Sequence, residues 1–249
     1  MKVKEIVAFL DGVAPYSTAM DFDNVGLLIG DPEAEVSGIL VSLDCFDEVI
    51  DRAEDLDANL IVTHHPVIFD PLKSITADSL QYKLISKNIS VISLHTNLDI
   101  AENGVNHALA ETIGLYDVKE ITTADNYILK LGELDELNDP YDFAKHLKEV
   151  LGGNIKFVAG NRDIKKVIIC SGSGGGYLYE TIKHGADAFV TADVKHNIFI
   201  EAGNLGISVY DAGHFNTEDV VVAPLCRDIA GAFPEIDVSE CHFSKIEHI

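Results

Sequence analysis

The alternation of two sequence patterns constrains the fold of this chain most strongly. In the first half, short apolar runs rich in β-branched residues alternate with segments of helical periodicity. That alternation is typical of a largely parallel sheet flanked by helices. The predicted strands span residues 38–44, 59–63 and 90–94, and the predicted helices span residues 46–56, 79–87 and 103–113.

The second half of the chain repeats this alternation. Its predicted strands span residues 166–170, 188–191 and 207–210, and its predicted helices span residues 141–150, 177–184 and 218–229. Val62 and Thr63 match Val190 and Thr191, and residues 89–91 match residues 207–209, which favours an internal duplication without establishing it. The acidic, Asn- and Pro-containing residues 131–140 are expected to form a surface connection.

These patterns predict an α/β fold of two similar halves with mixed or mainly parallel sheets. The first half is expected to span residues 1–125 and the second residues 126–249, with a metal site in the cleft between them. The length of 249 residues and a hydrophobic content of 47% can build a core in each half and leave no room for a third domain.

Charge and cysteine content exclude several classes of function. The chain has 18 Lys and Arg against 41 Asp and Glu, a net charge of −23, which repels nucleic-acid backbones and anionic membranes. No stretch reaches the roughly 18 apolar residues of a membrane span, and residues 1–10 predict an amphipathic helix rather than a signal peptide. The four cysteines form no C-x-x-C pair, so we expect reduced thiols in a cytoplasmic protein.

Histidines and carboxylates follow three of the predicted strands. Strand 59–63 runs into His64 and His65, strand 90–94 runs into the segment from His95 to Asp99, and strand 207–210 is followed by His214 and Glu218. In open α/β sheets, ligand-binding groups gather just beyond the carboxyl ends of strands. Three strand ends therefore deliver imidazoles and carboxylates to a predicted site.

Imidazole and carboxylate donors suit borderline divalent ions such as Zn, Mn, Fe, Co or Ni, and the donors leave the choice among them open. In an extended segment the side chains of His64 and His65 point in opposite directions, so without a backbone bend they favour two ions. His214 and Glu218, spaced i and i+4 at a predicted helix start, are expected on one face, with Asn216 and Thr217 as caps. A carboxylate there can bridge two ions.

Each of these residues also has a purely structural interpretation. A single histidine after a strand is more often hydrogen-bonded within the fold than bound to a metal, and Asp99 alone is typical of a helix cap or turn. Adjacent histidines before Pro66 have no packing rationale, however. The joint occurrence at three strand ends is the observation that favours a metal site.

Six ordered motifs resemble the dinuclear-metal Nif-three-like family, whose members are commonly called GTP cyclohydrolase I type 2 homologues. The motifs span nearly the whole chain: DNVGL at 23–27, THHP at 63–66, HTNLD at 95–99, SGSGGG at 171–176, TADVKHN at 191–197 and GHFNTE at 213–218. The resemblance implies that two ions are bound by these ligands: His65 and Asp99 at one ion, His64 and His214 at the other, and Glu218 bridging both. It also implies a ring-shaped homohexamer, and the large inserted domain of some members is expected to be absent.

Three further segments have two interpretations each. Residues 171–176 between a strand and a helix could cradle an anion or simply form a tight turn. His95, Asp193 and His196 are candidates for supporting the ligands or carrying protons. Residues 23–26 contain turn-forming residues, although the resemblance places them beside the site.

Two ions bridged by a carboxylate activate water, so the sequence favours a metal-dependent hydrolase. The residues do not specify the substrate, for which a small molecule, nucleotide-like or otherwise, is expected. Attack on a purine ring carbon and hydrolysis of a phosphoester both remain open. The alternative from another class is a non-enzymatic protein in which the ions fix structure or organise a partner surface. A nucleic-acid function is disfavoured because basic clusters are short and no basic and aromatic residues interleave.

Overall fold

The computed structural model describes residues 1–247, in which strands and helices alternate along most of the chain. The strands are β1 (Gly26–Ile29), β2 (Gly38–Ser42), β3 (Leu60–Thr63), β4 (Ser90–Ser93), β5 (Tyr116–Thr122), β6 (Ile128–Asn138), β7 (Lys156–Val158), β8 (Ile164–Ile169), β9 (Ala188–Thr191), β10 (Ser208–Asp211) and β11 (Asp237–Cys241). The helices are α1 (Val3–Val13), α2 (Asp47–Asp55), α3 (Leu80–Ser86), α4 (Thr96–Asp99), α5 (Val105–Ile113), α6 (Pro140–Leu151), α7 (Leu178–Lys183), α8 (His196–Leu205), α9 (His214–Glu218) and α10 (Val222–Ala232).

The first compact unit comprises Met1–Ala101 and Val221–Ile246. Its five-stranded sheet has the order β1-β4-β3-β2-β11, in which only β1 is antiparallel to its neighbour. Every residue of β2, β3 and β4 is buried, as parallel strands covered by helices require. Leu40 and Ile61 of this sheet pack with Leu84 of α3 in the core.

The second unit is formed mainly by Glu102–Val220. Its six-stranded sheet has the order β5-β6-β8-β9-β10-β7, with β8, β9 and β10 parallel and the other strands antiparallel to their neighbours. Phe143 of α6 packs edge-on against Tyr210 of β10, and the Tyr210 hydroxyl donates to the Pro140 carbonyl over 2.8 Å. The buried hydroxyl is thus satisfied inside the core.

The two units share one strand order. In the first unit, four neighbouring strands lie in the spatial order β1-β4-β3-β2, and helix α1 precedes them along the chain. In the second unit, four strands lie in the order β7-β10-β9-β8, and helix α6 precedes them along the chain. In both, the first strand along the chain is antiparallel and the other three are parallel. The prediction of two similar α/β halves with mixed sheets is confirmed, and the shared order supports an internal duplication.

Most predicted strands and helices are observed within a few residues of their expected bounds, but two predictions are wrong. Residues 131–140 form no surface connection, because most of them belong to β6, whose first half is buried between β5 and β8. The predicted helix 218–229 is interrupted: α9 ends at Glu218, a 3-10 turn covers Asp219–Val221, and α10 follows.

The predicted division between residues 125 and 126 falls in the turn that joins β5 to β6, two strands that pair within the second unit. The amphipathic helix expected at the start of the chain is α1, which buries Val3, Ile6 and Leu10. Within residues 1–247, none of the helices combines the length and the apolar character that crossing a membrane would demand.

Candidate metal centre

The backbone bends directly after β3. Strand geometry ends at Thr63, and bends occupy His64 and His65, whose amides donate to the carbonyls of Ser42 (3.2 Å) and Leu43 (2.9 Å). The two imidazole rings consequently lie 5.0 Å apart, centroid to centroid. The backbone bend that such a pair needs in order to converge is therefore present, because the extended conformation stops one residue earlier.

A third imidazole joins this pair within the first unit. The His95 ring centroid lies 5.2 Å from that of His64 and 5.7 Å from that of His65. One ring nitrogen of each histidine lies within 4.8 Å of the other two, a spacing at which the group could hold a metal ion. Imidazole nitrogens of this kind bind Zn, Mn, Fe, Co and Ni.

The Nδ1 atoms of the three histidines all face oxygen acceptors. His64 Nδ1 donates to the Leu94 carbonyl (2.8 Å), His65 Nδ1 to Asp44 Oδ1 (2.7 Å) and His95 Nδ1 to Asp23 Oδ1 (2.8 Å). Because a carbonyl or an ionised carboxylate cannot donate, each Nδ1 carries a proton, and in the neutral ring the lone pair is on Nε2. Histidines that bind metals are ordinarily held this way by a carboxylate or carbonyl.

Asp99 lies beside His64 at the end of α4. Both residues are buried, and Asp99 Oδ1 is 3.6 Å from His64 Nε2. Asn97 fixes this short helix, since its amide group donates to the Ala14 carbonyl (2.7 Å) and its oxygen accepts from the His95 amide (2.9 Å). Asp99 is the last residue of α4 and His95 its N-cap, so a helix-capping role for Asp99 does not explain its burial.

Asp23 holds His95 from the loop that precedes β1. Its side chain is fully buried and accepts hydrogen bonds from His95 Nδ1, from the Thr96 amide (3.0 Å) and from the Thr96 hydroxyl (2.5 Å). Burial alone would raise the pKa of the Asp23 carboxyl, but these hydrogen bonds outweigh it and hold the pKa well below its ordinary value. The segment 23–26 is therefore more than a turn.

The second unit carries an equivalent pair after β10. His214 begins α9, and its Nε2 lies 3.0 Å from Glu218 Oε2, so the i and i+4 spacing does place both on one face. His214 Nδ1 lies 2.7 Å from Asp193 Oδ2, which repeats the arrangement of the first unit. The hydrogen bond with Glu218 raises the pKa of His214 to about 9 although burial opposes the rise, and Asp193 adds to it.

Asn216 and Thr217, expected as helix caps, lie inside α9 because the helix begins earlier, after Gly213 with a φ of +86°. Thr217 instead accepts a hydrogen bond from the Gly172 amide over 3.0 Å. This contact joins α9 to the glycine-rich segment Ser171–Gly176.

The glycine-rich segment packs its backbone against Glu218. Gly172 has a φ of +57°, and a Cβ there would lie 2.1 Å from Glu218 Oε1. The amides of Ser171, Gly172 and Gly174 donate to Asn106, Thr217 and Thr191, respectively. These three amides have acceptors within the protein, as expected of a tight turn, and the backbone of the segment lies directly against Glu218.

The remaining predicted residues separate into two groups. Asp193, which has a φ of +51°, contacts His214 and so supports a candidate ligand. His196 is exposed at the first residue of α8, and within residues 1–247 it makes no hydrogen bond to the histidines or carboxylates described above. Asp44 was not predicted. It lies just beyond β2, the strand next to β3, and this position could have identified it as a candidate.

The fold and these residues define an α/β protein of two similar units, each with histidines and carboxylates beyond the ends of its parallel strands. The chain belongs to the DUF34/NIF3 (NGG1p interacting factor 3) family, whose profile matches residues 1–248. A Clostridium acetobutylicum relative named GTP cyclohydrolase 1 type 2 homolog is 34% identical, in an alignment that covers 96% of this chain and 93% of the relative.

Solved structures agree with this assignment. The Staphylococcus aureus hypothetical protein SA1388 is 31% identical, and its superposition covers 100% of this chain and 99% of the SA1388 chain with a TM-score of 0.94. Reduced HcgD from Methanocaldococcus jannaschii is 29% identical over 98% of both chains, with a TM-score of 0.84. A Staphylococcus epidermidis relative, also named GTP cyclohydrolase 1 type 2 homolog, aligns over 328 positions at 30% identity, more positions than the 249 residues of this chain, so that relative contains inserted residues.

Proposed function

We propose that this protein is a metal-dependent hydrolase that holds two divalent ions with His64, His65, Asp99, His214 and Glu218. The observation that carries the proposal is the state of the candidate imidazole ligands. His64, His65 and His214 each have Nδ1 within 2.8 Å of an oxygen acceptor, which leaves Nε2 as the coordinating atom. Histidines with only a structural role can use either ring nitrogen as the donor. The use of Nδ1 by all three therefore favours metal binding through Nε2.

The division of ligands follows the family resemblance. His65 and Asp99 would hold one ion, His64 and His214 the other, and Glu218 would bridge both. Two ions held in this way supply a water activated at neutral pH and a clamp on the oxygens of the substrate. The donor set fits Zn, Mn, Fe, Co or Ni.

Other residues of the chain would orient this site. Asp44 and the Leu94 carbonyl fix the rings of His65 and His64, and Asp193 fixes that of His214. His95 lies beside the first two rings but outside the five ligands. With Nδ1 bonded to Asp23, its Nε2 is available to accept a proton from the substrate or the attacking water.

The names of the relatives indicate a substrate class. Two relatives are called GTP cyclohydrolase 1 type 2 homolog, so a purine nucleotide or a related small molecule is the first substrate to test, and a phosphoester is the second. The metal-loaded protein should be screened against nucleotides and phosphoesters. Turnover should disappear in Glu218→Ala and persist in His107→Ala, a histidine variant on α5 whose ring lies 3.6 Å from surface Glu111. Equal turnover in both variants would reject the proposal.

A second candidate is a non-enzymatic protein in which the ions stabilise the fold. The observation that favours it is burial, since His64 and Asp99 are only 2% and 5% exposed. A purely structural site is saturated by protein ligands, whereas a catalytic site keeps exchangeable positions. Metal removal that lowers the melting temperature, with no turnover in the substrate screen, would favour this candidate.

Assembly and location complete the proposal. We expect a homohexamer, as the family resemblance implies, and sedimentation velocity at micromolar concentration should give a single species of six chains. We also expect a cytoplasmic protein. The four cysteines support this location, since all are thiols and Cys45, whose burial raises its pKa to about 12, is poorly reactive.

A further inference from the structure

Two phenylalanine rings beside the histidines of the first unit are exposed. Phe22 is 62% exposed and Phe69 is 47% exposed, and their ring centroids lie 6.2 Å apart at an angle of 46°. Phe69 also meets the His95 ring edge-on at 6.2 Å. Large apolar side chains gain free energy by burial, so a pair kept in water next to a candidate reactive group indicates a binding surface.

The loops that carry the two rings are tied to each other and to His95. Asp23, the residue after Phe22, is bonded to both His95 and Thr96, as described above. The Met20 amide donates to the Thr96 hydroxyl over 2.9 Å. The Asn24 side chain donates to the Ile68 carbonyl over 2.6 Å, which links the first loop to the residue before Phe69.

These bonds fix the backbone on both sides of Phe22 and immediately before Phe69. The backbone that carries the two rings is therefore ordered before any ligand arrives, which lowers the entropic cost of binding. Exposed side chains on a mobile loop would lack these backbone hydrogen bonds.

We infer that Phe22 and Phe69 form an aromatic wall that binds a planar, uncharged heteroaromatic ring of the substrate beside His95. This inference rests on the proposed function and names two residues that determine its specificity. Aromatic side chains stack on flat rings of many kinds, because the interaction depends on the ring faces and on excluded water. With Nδ1 donating to Asp23, Nε2 of the neutral His95 ring can accept a hydrogen bond from an N–H at the edge of such a ring.

The charge of the protein agrees with an uncharged ring as the recognised part. With a net charge of −23, the chain disfavours binding that depends on an anionic group alone. Stacking involves no charge, so the wall can bind the ring whether or not ions are present. That independence separates the wall from the metal site in an experiment.

The test uses 2-aminopurine riboside, a flat, uncharged, fluorescent probe whose emission is quenched by stacking. The chain has no tryptophan, so excitation above the tyrosine absorption band excites the probe alone. Titrations should be made with the full chain as purified and after removal of metal by a chelator. The variants are Phe22→Leu and Phe69→Leu, which keep apolar volume but lose the aromatic face. The control is Phe243→Leu, a phenylalanine of similar exposure, 46%, that follows β11.

Wild type and the Phe243 variant should quench the probe equally, with and without metal. Each of the other two variants should bind it about five- to tenfold more weakly, the lower part of the range for loss of one stacking ring. Ribose should not compete. All variants should keep the metal content of wild type, so a failure of the wall is distinguished from a failure of the metal site.

Two results would overturn the inference. Unchanged affinity for the probe in both Phe→Leu variants, or no quenching by wild type, would show that the wall does not bind flat rings. A changed sedimentation coefficient in these variants together with unchanged probe binding would show instead that the two rings contact a second copy of the chain.

Discussion

The two units share a strand order, but different candidate metal ligands follow their parallel strands. In each unit, the last of the three parallel strands along the chain, β4 or β10, is followed by a histidine and a carboxylate four residues apart, His95 with Asp99 and His214 with Glu218. After the middle of the three parallel strands the units differ. β3 is followed by His64 and His65, whereas β9 is followed by Ala192 and Asp193.

The two units therefore offer different sets of candidate metal ligands on the same strand order. The first unit carries three clustered imidazoles and the candidate carboxylate Asp99, and the second carries one imidazole, His214, and the candidate carboxylate Glu218. The supporting carboxylates differ too. The Asp23 side chain is fully buried against His95, while the Asp193 side chain is 55% exposed against His214.

The largest effect is expected from filling the space at Gly172. In Gly172→Ala, the added Cβ would collide with the Glu218 carboxylate, and the positive φ adds strain of about 1–2 kcal/mol. Metal content, measured by elemental analysis, should fall by more than half. Gly176→Ala is the matched control, because a Cβ at Gly176 meets nothing within 4 Å. Similar metal content in the two variants would mean that the glycine-rich segment does not position Glu218.

The next effect compares the two supporting carboxylates. Asp23→Ala would leave the buried Thr96 amide and His95 Nδ1 without their acceptor, so the free energy of unfolding should fall by about 2–4 kcal/mol. Asp193→Ala should cost less than about 1 kcal/mol, because exposed pairs contribute little. Urea unfolding of the two variants measures both changes. Equal losses would remove the difference between the units.

A smaller effect is the pH dependence of the metal-free protein. The pKa of His214 is raised to about 9, so protonated His214 stabilises the fold fully below its unfolded pKa of about 6.5, and this contribution is lost as the pH rises through 9. Since a third of the His214 side chain is exposed, the loss should be about 1 kcal/mol after allowance for screening. Unfolding curves at pH 6 and 9.5 would reveal it, and Glu218→Gln should reduce it. A stability independent of pH in wild type would show that the pair is not formed.

The same proton competes with metal at His214. Metal affinity should therefore continue to rise with pH up to about 9, beyond the ordinary histidine pKa of about 6.5. Competition titrations with a chromophoric chelator between pH 6 and 9.5 would follow this rise. An affinity that levels off near pH 7 would show that His214 loses its proton as an ordinary histidine does.

Candidate residues near a strand end could be predicted from the sequence, because parallel strands place their carboxyl ends at one edge. This rule selected His64, Asp99 and Glu218, which lie shortly after β3, β4 and β10. It could not give the orientation of His64 and His65. That orientation depends on hydrogen bonds from their backbone amides to the carbonyls of Ser42 and Leu43, at the end of the neighbouring strand β2. Asp44 was missed for the same reason, since its contact with His65 exists only once β2 and β3 pair.

Segment 131–140 shows where composition misleads. Its acids and Asn138 are typical of a connection, but Asp135 and Glu136 lie at the exposed end of a strand whose earlier residues, such as Leu134, are buried. Pairing with β5 and β8 decides the structure of this segment, and β8 is distant from it in sequence. Local patterns therefore predicted the parallel core better than the antiparallel edge.

Metal content per chain tests the central claim most directly: that the two units jointly hold two ions. Elemental analysis after metal loading should give about two ions for wild type and for His107→Ala, about one for Asp99→Ala and for His214→Ala, and less than one for Glu218→Ala. Circular dichroism should show that all variants remain folded. A value of one ion per chain in wild type, or two ions retained in Glu218→Ala, would contradict the shared centre and the bridging role of Glu218.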